Sequence, residues 1–216
     1  MKRQLATAIS QALQQIGASV PCLYYSSQIT ALYEGFVFSC VIEALTRLGA
    51  TLEVRDEMDQ PSTVFEFHTK PSLIFTQGSY YILVGFQQTQ YELHTNLRAA
   101  GYSGTLHELD VCLLKHEEAQ QCRDSRQSPI RKHVVFFAEC KCYQRPLPLH
   151  IGREYLGLAQ EFNVEVKTII SNVGSNPLHQ LITKHGRREN FHVSPRNPGN
   201  VVMFVEWLAN ELRQVL

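Results

Sequence analysis

Several things are missing from this chain. It has no G-x-x-x-x-G-K-[ST], no G-x-G-x-x-G and no G-x-S-x-G. A nucleotide-cradling glycine loop and a serine nucleophile elbow are therefore not its chemistry. Six cysteines are present, but none forms a C-x-x-C pair, and the histidines show no metal-ligand spacing. Structural zinc is not indicated. Cys40, Cys112 and Cys140 sit inside apolar runs, where a free thiol behaves as a small hydrophobe. That usage fits a reducing compartment, and a cytoplasmic location is expected. No excess of charge of either sign exists: 20 basic residues balance 20 acidic ones. A surface that coats nucleic acid indiscriminately is excluded, while a local basic groove is not. No apolar run approaches the ~20 residues of a membrane span, so no membrane is expected. The start, Met1-Lys-Arg-Gln-Leu, carries no continuous apolar stretch, and no export is expected.

What is present is a globular composition, 44% hydrophobic over 216 residues. That is enough for one sizeable core. Residues 1–24 are expected to form a helical appendage and residues 25–216 the main domain. Leu5, Ile9, Leu13 and Ile16 predict a helix over 3–16. Pro21 breaks it, and Ser26 or Ser27 caps a second helix that stops at Gly49. Its apolar stripe is Phe38, Val41, Ile42, Leu45 and Leu48. Four residues back from Phe38 lies Glu34, on the inward face, whereas Glu43 is off the stripe. Short strands are expected at 51–54, 64–67, 73–75 and 80–86, then a short helix at 90–100. A strand follows at 106–114, and a polar connection at 115–129 reads as a mobile loop. Beyond it, strand 133–142, a helix carrying Ile151, Tyr155, Leu158 and Phe162, and strand 164–171 suggest a parallel crossover. Two more helices, over 178–185 and 199–214, complete the chain.

The most informative stretch is His133-Val-Val-Phe-Phe-Ala-Glu-Cys-Lys-Cys142. Alternation on a strand puts Glu139 and Lys141 on one face, together with Val135 and Phe137. Charge at the end of an apolar strand is costly unless it is paired or bound to an ion. The earlier run Leu106-His-Glu-Leu-Asp-Val-Cys-Leu-Leu114 carries Asp110. There Glu108, Asp110 and Cys112 are expected on one face, and Leu109, Val111 and Leu113 on the other. On adjacent strands, Asp110 and Glu139 would come close enough to hold one hard cation. Two carboxylates and a scissile phosphate suit Mg²⁺, which lowers the pKa of a bound water. Lys141 would orient that water or stabilise developing negative charge. Glu34, arriving from its helix, would bind the metal directly or through water. Further contacts to substrate are expected from Gln144 and Arg145, which follow Lys141 closely, and from Arg153. Lys184, Arg187 and Arg188 form the densest basic cluster, suited to phosphate.

This order of an inward helix Glu, a strand Asp, then apolar-Glu-x-Lys, helix and strand resembles the PD-(D/E)XK nuclease superfamily. The resemblance covers roughly residues 27–172. It implies a restriction-endonuclease-like fold, an α/β domain with an αβββαβ core whose mixed central sheet is flanked by helices. Asp110, Glu139 and Lys141 match the motif, and Glu34 matches the helix acid of many members. Leu109 stands where the motif has Pro, at a variable position. The resemblance implies a Mg²⁺-dependent endonuclease, with Mn²⁺ as substitute, acting on DNA more readily than RNA. It also suggests the nuclease component of a prokaryotic restriction or antiviral defence system. A protein partner supplying recognition or translocation, and a homodimer, are the assemblies it suggests. Two other classes compete. One is a noncatalytic nucleic-acid-binding or scaffolding member of the same fold. The other is a small-molecule hydrolase or transferase.

Overall fold

The structure is a computed structural model that describes residues 1–19, 28–67 and 70–216. Helices α1 (Lys2–Gln15) and α2 (Ile29–Arg47) lead into strands β1 (Thr51–Arg55), β2 (Tyr81–Phe86), β3 (Thr89–Ala100) and β4 (Leu106–Lys115). Then come α3 (His116–Ser125), β5 (Val134–Lys141), α4 (Leu149–Glu161), β6 (Val166–Ser171), α5 (Asn176–Lys184), β7 (Glu189–Asn190) and α6 (Pro198–Val215). The seven strands form one sheet in chain order, β1 to β7. The pairings from β1 to β5 are antiparallel, and those of β5 with β6 and β6 with β7 are parallel. The α/β class and the mixed, helix-flanked sheet are thus as expected, and α4 is the parallel crossover. The proposed caps Ser26 and Ser27, Pro21 and the boundary at residue 24 lie outside the described residues.

Two cores lie on opposite faces of the sheet. The first joins α1, α2 and α6 through Leu5, Ile9, Leu13, Val37, Val41, Phe204 and Leu208 to Val111, Leu113, Phe136 and Ala138. The second joins α3, α4 and α5 through Cys122, Ile151, Tyr155, Phe162 and Leu178 to Leu109, Cys112, Phe137 and Ile169. Each such buried side chain contributes roughly 1.5–3 kcal/mol. Helix α1 is part of the first core, with Ile9 packed over Gly35 of α2. Helix α2 is apolar almost all round, as befits a helix covered on several sides. Its length and mean hydropathy of 1.4 would suffice for a membrane span, which the expectation of no such run overlooked. In the fold, 67% of that window is buried inside the protein.

Four local expectations fail. Residues 90–100 form the longest strand, not a helix. Tyr91, Leu93, Leu97 and Ala99 recur with a period of two, and pairing with β4 along the strand, and with β2 as far as Leu93, overrides helix propensity. Residues 64–67 and 73–75 make only isolated bridges or a turn. The segment 116–125 is helix α3, not a loop, because Ala119 and Cys122 reach the second core and Arg123 pairs with buried Glu92 of β3. A bulge between Leu113 and Leu114 puts Val134, rather than Val135, in the core with Phe137.

Candidate active site at the fork of β4 and β5

The pairing of β4 with β5 runs from Leu114↔Val134 to Val111↔Ala138 and stops. The pairing of β5 with β6 continues through Glu139↔Ile169 to Lys141↔Ser171. Strand β4 therefore leaves β5 at Asp110, while β5 carries on. The fork opens where the sheet changes from antiparallel to parallel pairing. Asp110 does not alternate as expected. Leu109 packs in the second core and Val111 in the first, so β4 changes faces across Asp110. The expected grouping of Leu109 with Val111 and Leu113 fails for this reason.

The fork brings the motif residues together. An oxygen of the Asp110 carboxylate accepts the Cys140 backbone N–H at 2.7 Å. It satisfies an amide that the broken ladder leaves. Lys141 Nζ lies 2.5 Å from Glu139 Oε1, with both side chains mostly buried. Burial disfavours the charged form of Lys141, but Glu139 and Asp110 more than offset it, and the ammonium is held protonated above its ordinary range. Burial, then the charge of Glu139, pushes the Asp110 carboxyl well above the usual carboxylate range. Glu34 of α2 is raised chiefly by burial, and it feels Lys141 and Glu139 from β5. Its Oε2 accepts the side-chain amide of Asn96 in β3 at 3.2 Å.

Glu108, expected on the Asp110 face, where the sequence also offers it as a weaker candidate ligand, belongs to the same electrostatic field. Burial raises it first, then Glu34 and Glu139. Asn96 was missed altogether. The signal for it was an Asn inside an alternating apolar pattern, where strands rarely place one. Asn172, also missed, clamps the loop after Lys141: it accepts from Tyr143 N–H at 2.8 Å and donates to Tyr143 O at 2.8 Å.

The predicted substrate contacts divide into two groups. Gln144 and Arg145 are exposed on that clamped loop beside the fork, and Arg153 is exposed on α4. Lys184 ends α5, and Arg187 and Arg188 lie between it and β7. The Arg188 carbonyl is level with Thr168, three residues before Ser171 on β6, so the cluster sits toward the other end of the strands. Arg188 lays its guanidinium over the Trp207 ring at 5.1 Å.

Among the described residues, no three His, Cys, Asp or Glu side chains converge as a ready-made metal cage. The chemistry of the donors nevertheless fits a hard divalent cation. Glu34, Glu108 and Asp110 are all pushed toward protonation by burial and by other carboxylates of the group. Lys141 opposes this in all three, joined by the Asn96 hydrogen bond at Glu34, the Cys140 N–H at Asp110 and Arg98 at Glu108. A cation bound by their oxygens would relieve that crowding. No family model, no curated protein and no solved structure matches the chain.

Proposed function

We propose that the protein is a Mg²⁺-dependent nuclease of the PD-(D/E)XK type. The observation that carries the reading is the meeting of Asp110, Glu139 and Lys141 at the fork, with Glu34 in electrostatic reach. These residues are separated by up to 107 positions in sequence, and a core strand alone would not call for both Glu139 and Lys141 at its end. Asp110, Glu139 and Glu34 would hold the metal. When bound, it would supply charge neutralisation at the phosphate and a more acidic water.

The chain's own residues do the rest. Lys141 stays a cation because Glu139 and Asp110 face it, so it serves to stabilise charge on the phosphate rather than to take a proton. Glu139 fixes the ammonium in place. Asp110 ties the end of β4 to β5 and keeps the fork in one geometry. Gln144 and Arg145 hold the backbone of the substrate, on a loop that Asn172 keeps in position. DNA is the favoured substrate, on the strength of the resemblance. A partner supplying recognition, and a homodimer, belong to the same proposal.

The test is a panel of plasmid, linear duplex, single-stranded DNA and RNA, each with Mg²⁺ or EDTA. Cleavage of a member in Mg²⁺ alone supports the reading and names the substrate. Equal cleavage in EDTA, or none in either while calorimetry detects no Mg²⁺ binding, rejects it.

A further inference from the structure

Asn96 has a backbone that a strand interior does not ordinarily contain. Its φ is +51°, in the left-handed region, and it is 4% exposed. Left-handed conformation costs an L-residue free energy, and Asn tolerates it better than most. In the pairing of β3 with β4, Thr95 lies opposite Val111 and Leu97 opposite Leu109, and Asn96 falls between them, across from Asp110. The consequence is visible in the packing. Before Asn96, Tyr91 and Leu93 face the first core; after it, Leu97 and Ala99 face the second. Strand β4 makes the same exchange at Asp110. The two residues are therefore the joint at which the β3–β4 hairpin turns away from β5 and opens the fork.

The surroundings hold this conformation in place. Ser72 N–H donates to the Asn96 carbonyl at 2.8 Å, and Arg98 N–H donates to Ser72 O at 2.9 Å. The isolated bridge at Ser72 thus braces the backbone at Asn96 and Arg98. With the backbone turned, the amide of Asn96 reaches α2 and donates to Glu34. Backbone strain that neighbours over-determine clusters at functional sites.

We propose that Asn96 is a positioning residue of the candidate active site: its left-handed backbone opens the fork, and its amide holds the Glu34 carboxylate toward Glu139 and Lys141. The proposal rests on the nuclease reading for its purpose but not for its geometry. Glycine adopts the same φ freely, so Asn96→Gly separates the amide from the backbone turn. In Asn96→Gly the fold persists, with a Tm within a few degrees of wild type. The Glu34 side chain loses its order in ¹³C relaxation measured without metal, and Mg²⁺ affinity by calorimetry falls about 10-fold, as when a ligand's supporting partner is removed. Asn96→Val, whose β-branched side chain is poorly suited to positive φ, loses both Glu34 order and Tm. If Asn96→Gly does not fold, Asn96→Asp keeps the left-handed preference and presents an acceptor to Glu34, and it too should free that side chain. A Glu34 as ordered in the folded Gly or Asp variant as in wild type overturns the proposal. A wild-type protein that neither binds Mg²⁺ nor cuts nucleic acid would remove the nuclease reading, while the order of Glu34 would still decide the role of Asn96.

Discussion

The carboxylate of Asp110 accepts the backbone N–H of Cys140 at 2.7 Å, one residue beyond the last paired position on β4 and two beyond it on β5. This bond ties two strands at the point where they part. It also places a carboxyl, 9% exposed, within the electrostatic field of Glu139. Asparagine retains the acceptor and removes the charge. Asp110→Asn should therefore keep a Tm equal to or above that of wild type while abolishing cleavage. Thermal denaturation and a plasmid assay on one preparation check both halves. A large drop in Tm would show that the ionised carboxylate is needed for the fold.

Metal binding should register as stability. A ligand that binds only the folded state adds about 2.7 kcal/mol at 100 times its Kd. Wild-type Tm should rise with Mg²⁺ and return to baseline with EDTA, and Asp110→Asn should not respond. The check is differential scanning fluorimetry across a Mg²⁺ series. A wild-type Tm that Mg²⁺ does not move would count against the site.

Glu92 gives a pH dependence remote from the fork. It is fully buried, and burial alone would raise its pKa. Hydrogen bonds from Arg123, His116 and His94 override burial and hold it well below the usual carboxylate range. Because its folded pKa is depressed, its stabilisation is present above the unfolded value of about 4.3. It is lost as pH falls from there toward the folded pKa. Stability should decline below about pH 4.5, and Glu92→Gln should flatten that decline. At neutral pH the variant should be less stable by about 3–5 kcal/mol, the cost of breaking a buried pair. Asp110 has the opposite sign. Its folded pKa is raised, so its contribution is present below the unfolded value and is lost as pH rises through the folded one. Urea melts of wild type, Glu92→Gln and Asp110→Asn between pH 3 and 8 separate the two.

Ile9 tests whether α1 belongs to the main cooperative unit. It is fully buried, and its Cδ1 would lie 3.0 Å from a Cβ built on Gly35. Ile9→Ala should cost about 2–5 kcal/mol of global stability. A melt that splits into two transitions, with the second unchanged, would make α1 a separate unit.

Much of the fold was legible because its signals were local. The 3.6-residue spacing of Leu5, Ile9 and Leu13, and the run before Glu139, needed no knowledge of neighbours. Glu139 and Lys141 were legible for the same reason, since charge at the end of an apolar strand is conspicuous. Residues 90–100 were misread because Glu92, Asn96 and Arg98 argue against a strand inside the sheet, although the apolar residues around them alternate. Each is accommodated by a distant partner: Glu92 by Arg123 of α3, Asn96 by Glu34 of α2, and Arg98 by the strand pairing with Glu108. Helix α3 was hidden for the reciprocal reason, because its polar sequence is held by that same Arg123. The change of face at Asp110 depends on a left-handed residue in another strand, which no periodicity within β4 discloses.

The most direct test of the account is the rate of cleavage in Mg²⁺ by wild type and by Lys141→Ala, on whichever substrate the panel identifies. In the proposed mechanism, the ammonium held charged beside Glu139 stabilises the transition state. Its loss should lower the rate about 10²–10³-fold, with the fold retained by circular dichroism. A Lys141→Ala protein that cuts at the wild-type rate would contradict the account.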